Sequence, residues 1–367
     1  MMRNRERIVV AMSGGVDSSL AAYLLLQEGY EVIGVTMRIW AAEGSGRPEA
    51  HPYGCCGVED TEDARRVAQK LGIPFYVINL ERDFNQLVVE YFCREYLDGR
   101  TPNPCILCNE KLKFGRLWEK AQSLEAQMIA TGHYSRVEYD KERKRYVLRR
   151  GMDAKKDQSY VLFSLSQDQL SRVRFPVGNL HKDQVRETAR KLGMKVSDKA
   201  DSQEICFVQE GDYRRFLEGR PGKRIESGLI VDRQGRALGR HNGICAFTIG
   251  QRRGLGVSTG YPLYVLDIDR TTNRVIVGPE KEAFQDRCVA SRLNWIAIRS
   301  LTEPRTVEAK IRYNHPGAEA IVDPIVADRV MVRFKNPQKA VTPGQAVVFY
   351  QGDLVLGGGW IERDGSG

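Results

Sequence analysis

The run Ile8-Val9-Val10-Ala11-Met12 breaks into Ser13-Gly14-Gly15-Val16-Asp17-Ser18 and resumes as Ser19-Leu20-Ala21-Ala22-Tyr23-Leu24-Leu25-Leu26. A short β-branched run, a break of glycines and hydroxyls, and a longer apolar run read as strand, tight loop and helix. The glycines let the backbone approach an anion, and the hydroxyls and N–H groups face it from the positive end of a helix. The break is therefore a phosphate cradle. It lacks the Gly-Lys-Ser/Thr ending of the Walker loop, so it places no lysine of its own on a transferring phosphate.

The pattern repeats downstream. Glu31 to Met37 is a second strand, Glu59 to Leu71 an amphipathic helix, and Pro74 to Leu80 a third strand. Phe84 to Leu97 is a further helix, and Gln127 to Thr131 a short strand ending in Gly132-His133-Tyr134. Strands alternating with helices at this spacing predict an α/β fold, a parallel sheet with helices on both faces. Ligands of such sheets bind beyond the carboxyl ends of the strands, where Ser13 to Ser18, Met37 and Gly132 converge.

From about residue 207 to 285 the chain turns rich in glycine and arginine, with Arg214, Arg215, Arg220, Lys223, Arg224, Arg233, Arg236, Arg240, Arg252 and Arg253. From Val289 the pattern alternates. Val307, Ala309, Ile311 and Tyr313 oppose Thr306, Glu308, Lys310 and Arg312, and Val330, Val332 and Phe334 repeat the period. Gln351-Gly352-Asp353 turns the chain between two apolar runs, so this end predicts a small antiparallel β-barrel. The three zones are a nucleotide-binding catalytic domain over 1–206, a central domain over 207–285 and a barrel over 286–367.

A chain of 367 residues is long enough for two or three such cores. Lys and Arg exceed Asp and Glu by 56 to 47, a balance that suits a polyanionic partner without requiring one. Met1-Met2-Arg3-Asn4-Arg5-Glu6-Arg7 imitates a signal peptide, but the apolar run that follows is too short and gives way to the glycine loop. No apolar run is long enough to span a bilayer, and eight cysteines scattered without secretion features read as reduced thiols, so the expectation is a cytoplasmic protein without a membrane partner.

Thr101-Pro102-Asn103-Pro104-Cys105-Ile106-Leu107-Cys108-Asn109 reads as a proline-stiffened loop presenting a Cys-x-x-Cys pair. Cys206, in Asp201-Ser202-Gln203-Glu204-Ile205-Cys206-Phe207, is the third thiol by context. Structural zinc needs four ligands, and Cys55 and Cys56 are adjacent, a poor spacing for shared ligation. Zinc, an iron–sulfur cluster and thiol or persulfide chemistry all remain open on the residues alone. Cys93, Cys245 and Cys288 lie in apolar or strand-like surroundings and read as core.

The glycine loop resembles the SGGxDS signature of the ATP pyrophosphatase superfamily. Together with Thr101 to Asn109, Gly132-His133-Tyr134, Lys156-Asp157-Gln158-Ser159-Tyr160, Asp201 to Phe207 and Phe247-Thr248-Ile249-Gly250-Gln251-Arg252-Arg253-Gly254, it resembles the bacterial tRNA-specific 2-thiouridylases over nearly the whole chain. That resemblance implies ATP, with Mg2+, held by Ala11, Met12, Ser13, Gly14, Gly15, Val16, Asp17 and Ser18, with Met37 and Gly132 flanking the adenosine. It implies adenylation of the 2-oxygen of the tRNA wobble uridine, then sulfur delivery with Cys108 as nucleophile and Cys206 as persulfide carrier, the two able to form a disulfide in turnover. A cysteine desulfurase or a sulfur-relay protein would supply the sulfur. Asn103, Pro104 and Cys105 would lie against the flipped base, and His133, Lys156, Asp157, Gln158, Arg312, Tyr313 and Gln345 match family positions on tRNA. Each of those has a plain reading as well: His133 as a strand-end cap, Lys156-Asp157 as a solvated pair, Arg312 and Tyr313 as the continuation of a strand.

One position departs from the best-known members, which carry Asp where this chain has Cys105. Cysteine lacks the acceptor pair of a carboxylate. Cys105, Cys108 and Cys206 are therefore also a candidate three-thiolate set for a 4Fe–4S cluster, as in cluster-dependent tRNA thiolases. Other pyrophosphatase-loop enzymes would not need Cys108 and Cys206, and a non-catalytic RNA-binding protein would tolerate the loss of Cys206.

Overall fold

A computed structural model describes residues 5–40, 58–200, 205–208, 212–220, 225–326 and 328–363. Its contacts divide the chain into two compact units, one of Met1–Val88, Cys105–Gly211 and Asp353–Val355, the other of Val89–Pro104, Asp212–Gly352 and Leu356–Gly367.

The first unit is built on β1 (Arg7–Ala11), α1 (Val16–Gln27), β2 (Glu31–Arg38), α2 (Val58–Leu71), β3 (Phe75–Asn79) and α3 (Glu81–Phe84). After α4 (Glu90–Leu97), which belongs to the second unit, come α5 (Pro104–Leu107), α6 (Leu117–Gln122) and β4 (Met128–Ala130). A hairpin of β5 (Ser135–Asp140) and β6 (Arg145–Arg150) follows, then α7 (Gln167–Ser171), β7 (Val173–Arg174) and α8 (Lys182–Lys191). The sheet runs β3-β2-β1-β4-β7 with every pairing parallel. The parallel sheet expected from the alternation is therefore present, and β1 sits where the strand order reverses, between β2 and β4.

Ile8 and Val10 of β1 pack with Leu20, Ala21 and Leu25 of α1, Val67 and Ala68 of α2, and Val185 and Ala189 of α8. Val9, pointing to the opposite face, is also fully buried. Burying each such aliphatic side chain contributes ~1.5–3 kcal/mol, enough to fix the strand beneath the loop it feeds. The β5–β6 hairpin, which no sequence signal announced, is tied to a distant segment. Arg136 and Arg149 grip Asp353 at 2.6 and 2.8 Å, and Leu354 pairs with Arg149.

The second unit holds α9 (Tyr213–Glu218) and a four-stranded sheet of β8 (Gly228–Val231), β9 (Ala237–His241), β10 (Tyr264–Asp269) and β11 (Arg274–Gly278), ordered β10-β11-β8-β9. Val265, Val275 and Val277 are fully buried in its core. Six further strands, β12 (Phe284–Trp295), β13 (Arg305–Lys310), β14 (Ala318–Val326), β15 (Arg329–Lys339), β16 (Ala346–Gln351) and β17 (Leu354–Ile361), run in the order β12-β15-β14-β13-β16-β17. Antiparallel pairing of β12 with β17 closes them into the expected barrel. Val307, Ala309, Val330, Val332 and Phe334 all face inward, as their alternation predicts. The alternation outruns the strand, however: β13 ends at Lys310, so Arg312 and Tyr313 lie beyond it.

Candidate active site

The phosphate loop is shaped by its own hydroxyls. The Ser13 N–H donates to Ser18 Oγ at 3.1 Å, and the hydroxyls of Ser18 and Ser19 donate to the Gly15 carbonyl at 3.2 and 2.9 Å. Gly15 is the N-cap of α1 and brings no side-chain cap, which leaves the first amides of the helix to an anion. Gly14 has φ +72°, and a Cβ there would lie 2.2 Å from the Asp60 carbonyl oxygen of α2. Gly132, beyond β4, packs so tightly that a Cβ would lie 2.6 Å from Ser18 N and Asp17 C. Met37, next to last in β2, lies at the same strand ends, half-buried. The three segments expected to converge at the carboxyl edge do so.

Two lysines absent from every motif touch this loop. Lys182 of α8, 8 % exposed in its side chain, donates to both carboxylate oxygens of Asp17 at 2.7 Å. Tyr134 Oη donates to Asp17 Oδ1 at 2.6 Å. Lys199 donates to Asp60 Oδ1 at 2.6 Å, Asp63 Oδ2 at 2.7 Å and the Gly14 carbonyl at 3.3 Å. Burial works against its charge, but the bonds to Asp60 and Asp63 outweigh it and raise the ammonium above its usual range. A lysine paired through the fold leaves no local spacing to read. Only the closeness of Lys199 to the Asp201–Phe207 motif could have drawn notice.

The Cys-x-x-Cys pair does not sit on a projecting loop. Pro104 opens a helical run instead, because its fixed φ suits a first helical residue and its missing N–H has no partner to lose there. After α5 the run widens into π-type turns over Cys108–Arg116, a rare geometry that concentrates at functional sites. Cys105 is exposed, and Cys108 and Cys206 are partly so. Phe207 anchors the Cys206 segment against Phe84, the ring centroids 5.5 Å apart. Cys93, Cys245 and Cys288 are at most 5 % exposed, as their apolar surroundings predicted, and burial pushes the Cys245 thiol up.

None of these six thiols is in a disulfide, and Cys55 and Cys56 lie outside the described residues. Among the described residues no three of His, Cys, Asp and Glu converge as a group able to hold a metal ion. Cys105, Cys108 and Cys206 are thus not drawn together as ligands of a single metal ion. The carboxylates of Asp17, Asp60 and Asp63 at the loop are all engaged by lysines.

The matching family patterns are those described as "tRNA methyl transferase HUP domain" over residues 6–210, "tRNA methyl transferase PRC-barrel domain" over 214–279 and "Aminomethyltransferase beta-barrel domain" over 285–361. The chain is 51% identical over 362 residues to tRNA-specific 2-thiouridylase MnmA 1 of Caldanaerobacter subterraneus subsp. tengcongensis, covering 99% of each. It is 52% identical to tRNA-specific 2-thiouridylase MnmA of Heliobacterium modesticaldum, covering 98% of this chain and 93% of the relative. The chain belongs to the tRNA-specific 2-thiouridylase family. Among solved structures, a 4-thiouridine synthetase–RNA complex with bound ATP is similar at a TM-score of 0.36 and 19% identity, over 58% of this chain and 50% of that one.

The remaining positions that this thiouridylase family suggested are distributed over both units. In the first, His133 is 7 % exposed. The Lys113 ammonium lies 3.4 Å from His133 Nε2, and Nδ1 shares a 2.6 Å hydrogen bond with Thr131 Oγ1. Burial, then the Lys113 charge, holds this imidazole well below its ordinary pKa. Gln158 Oε1 accepts from the Tyr134 N–H at 3.0 Å, and Asp157 accepts from the Gly151 and Ser159 amides. The Lys156 amide donates to the Asp153 carbonyl, and its side chain is partly exposed. In the second unit, Gln345 Nε2 donates to the Thr101 carbonyl at 2.8 Å and so braces the approach to Asn103 and Pro104. Arg312 is exposed, with one guanidinium nitrogen on the Lys339 carbonyl, and Tyr313 is half-buried beside it.

Among the described residues no helix is long and apolar enough to cross a membrane.

Proposed function

We propose that the chain is an ATP-dependent tRNA-uridine 2-sulfurtransferase, the activity in the names of its relatives. The observation that carries this reading is the pairing, within one unit, of a phosphate loop whose helix amides are uncapped with two accessible thiols, Cys108 and Cys206. An oxo group on a pyrimidine leaves poorly, whereas AMP leaves readily. The uridine 2-oxygen attacks the α-phosphorus of ATP, the bond to the bridging oxygen breaks, and pyrophosphate departs with the electron pair. Mg2+ enters with the ATP phosphates.

The terminal sulfur of a Cys206 persulfide then attacks the 2-carbon and AMP leaves. The Cys108 thiolate attacks Cys206 Sγ, the sulfur–sulfur bond breaks, and the base departs as 2-thiouridine with a Cys108–Cys206 disulfide behind it. A dithiol reductant returns both to thiols. The persulfide sulfur comes from a cysteine desulfurase or a relay protein in the cytoplasm. In this reading Asn103, Pro104 and Cys105 contact the flipped base, and His133, Lys156, Asp157, Gln158, Arg312, Tyr313 and Gln345 each contribute to tRNA binding. In this reading the central zone, 207–285, and the barrel, 286–367, extend the RNA surface.

The test is mass spectrometry of tRNA nucleosides after incubation with ATP, magnesium and a persulfide source. New 2-thiouridine that depends on ATP is expected. Its absence from both iron-free and cluster-reconstituted protein overturns the reading.

A further inference from the structure

The phosphate loop ends without a lysine, yet breaking the α–β bond of ATP leaves charge on pyrophosphate that a fixed cation would stabilise. Of the two lysines touching the loop, Lys182 is committed to both oxygens of Asp17 and nearly buried. Lys199 differs. Its side chain is 34 % exposed, its ammonium reaches a loop carbonyl at Gly14, and its other partners come from α2. Asp63 is shared, giving Oδ2 to Lys199 and Oδ1 to Arg66 at 3.2 Å, and Arg186 of α8 donates to the Lys199 carbonyl at 3.3 Å. Two carboxylates thus keep the ammonium charged and parked at the lip of the cradle, surrounded by further cations. The lip is also rigid, because Gly14 abuts Asp60 with no room for a side chain.

We propose that Lys199 forms the β,γ-phosphate subsite, exchanging its carboxylate partners for the leaving pyrophosphate and so supplying from outside the loop the lysine that the loop lacks. As a compact point charge, an ammonium suits this task. The inference rests on the reading of the loop as an ATP site.

Equilibrium binding of ATP and of AMP, with magnesium, to the full-length chain tests it. Lys199→Gln is expected to weaken ATP roughly tenfold or more, the worth of a charged hydrogen bond, while AMP, which lacks the leaving phosphates, changes less than about twofold. Lys199→Arg restores most of the ATP affinity. Equal losses for ATP and AMP mark Lys199 as a mere brace of the loop and overturn the proposal, as does an unchanged ATP affinity. If Lys199→Gln does not fold, Asp60→Asn replaces it: releasing the ammonium from one competitor should tighten ATP relative to AMP, and an unchanged ratio overturns the proposal. Wild-type protein that binds neither nucleotide refutes the ATP reading itself.

Discussion

Lys182 holds both carboxylate oxygens of Asp17 at 2.7 Å, so the acid inside the phosphate loop is neutralised by a helix 165 residues further along the chain. An unpaired carboxylate there would repel the phosphates that the neighbouring amides are shaped to receive.

Lys182→Met should therefore weaken ATP binding and destabilise the fold. Breaking a fully buried pair costs ~3–5 kcal/mol, and because Asp17 is 28 % exposed the expected loss is about 2 kcal/mol. Chemical denaturation measures it. The double variant with Asp17→Asn should recover part of the stability, since it removes the stranded charge.

Gly132→Ala should abolish nucleotide binding. The added methyl would meet Ser18 N and Asp17 C at 2.6 Å, and backbone atoms of a helix start cannot yield as a flexible side chain would. Gly260→Ala, with nothing within 4 Å, is the control and should shift stability by less than ~0.5 kcal/mol. Calorimetric titration with ATP distinguishes the two.

His133 should make the protein acid-sensitive. Its folded pKa is depressed, first by burial and then by Lys113, so its contribution is full above the unfolded value near 6.5 and is lost as pH falls toward the folded value. Below about pH 6.5 the wild type should lose up to ~1.4 kcal/mol per pH unit more than His133→Gln. The difference between the two denaturation curves isolates this residue from His241 and His315, which burial also depresses.

The thiols should separate by reactivity. Brief iodoacetamide treatment of native protein should label Cys105, Cys108 and Cys206 well before Cys93, Cys245 and Cys288, as read by peptide mass spectrometry.

Cys206→Ala should leave tRNA binding within about twofold and reduce 2-thiouridine formation by at least a thousandfold, because a persulfide carrier has no substitute in a methyl group. Filter binding and nucleoside analysis report the two halves. Loss of both together would place Cys206 in the fold rather than in the chemistry.

The periodic elements were legible because one rule governs each. Ile8 to Met12 and Ser13 to Ser18 declare a strand and an anion loop locally, and Val330, Val332 and Phe334 declare a strand with one buried face. What escaped reading depends on partners far along the chain. Lys182 and Lys199 have meaning only beside Asp17, Asp60 and Asp63. The prolines around Asn103 suggested a loop, whereas Pro104 starts a helix, since the same fixed φ serves both. The alternation through Tyr313 continued past the end of β13 because residues leaving a strand can keep its inward and outward order without its hydrogen bonds.

Asp353–Val355 belongs with the first unit, and Val89–Pro104 with the second. On the ribosome, the β5–β6 hairpin emerges early and must wait for about two hundred further residues before Arg136 and Arg149 find Asp353. Neither unit can be finished first and set aside: the order of synthesis is not the order of assembly, and a nascent chain stalled short of residue 353 carries an incomplete nucleotide unit.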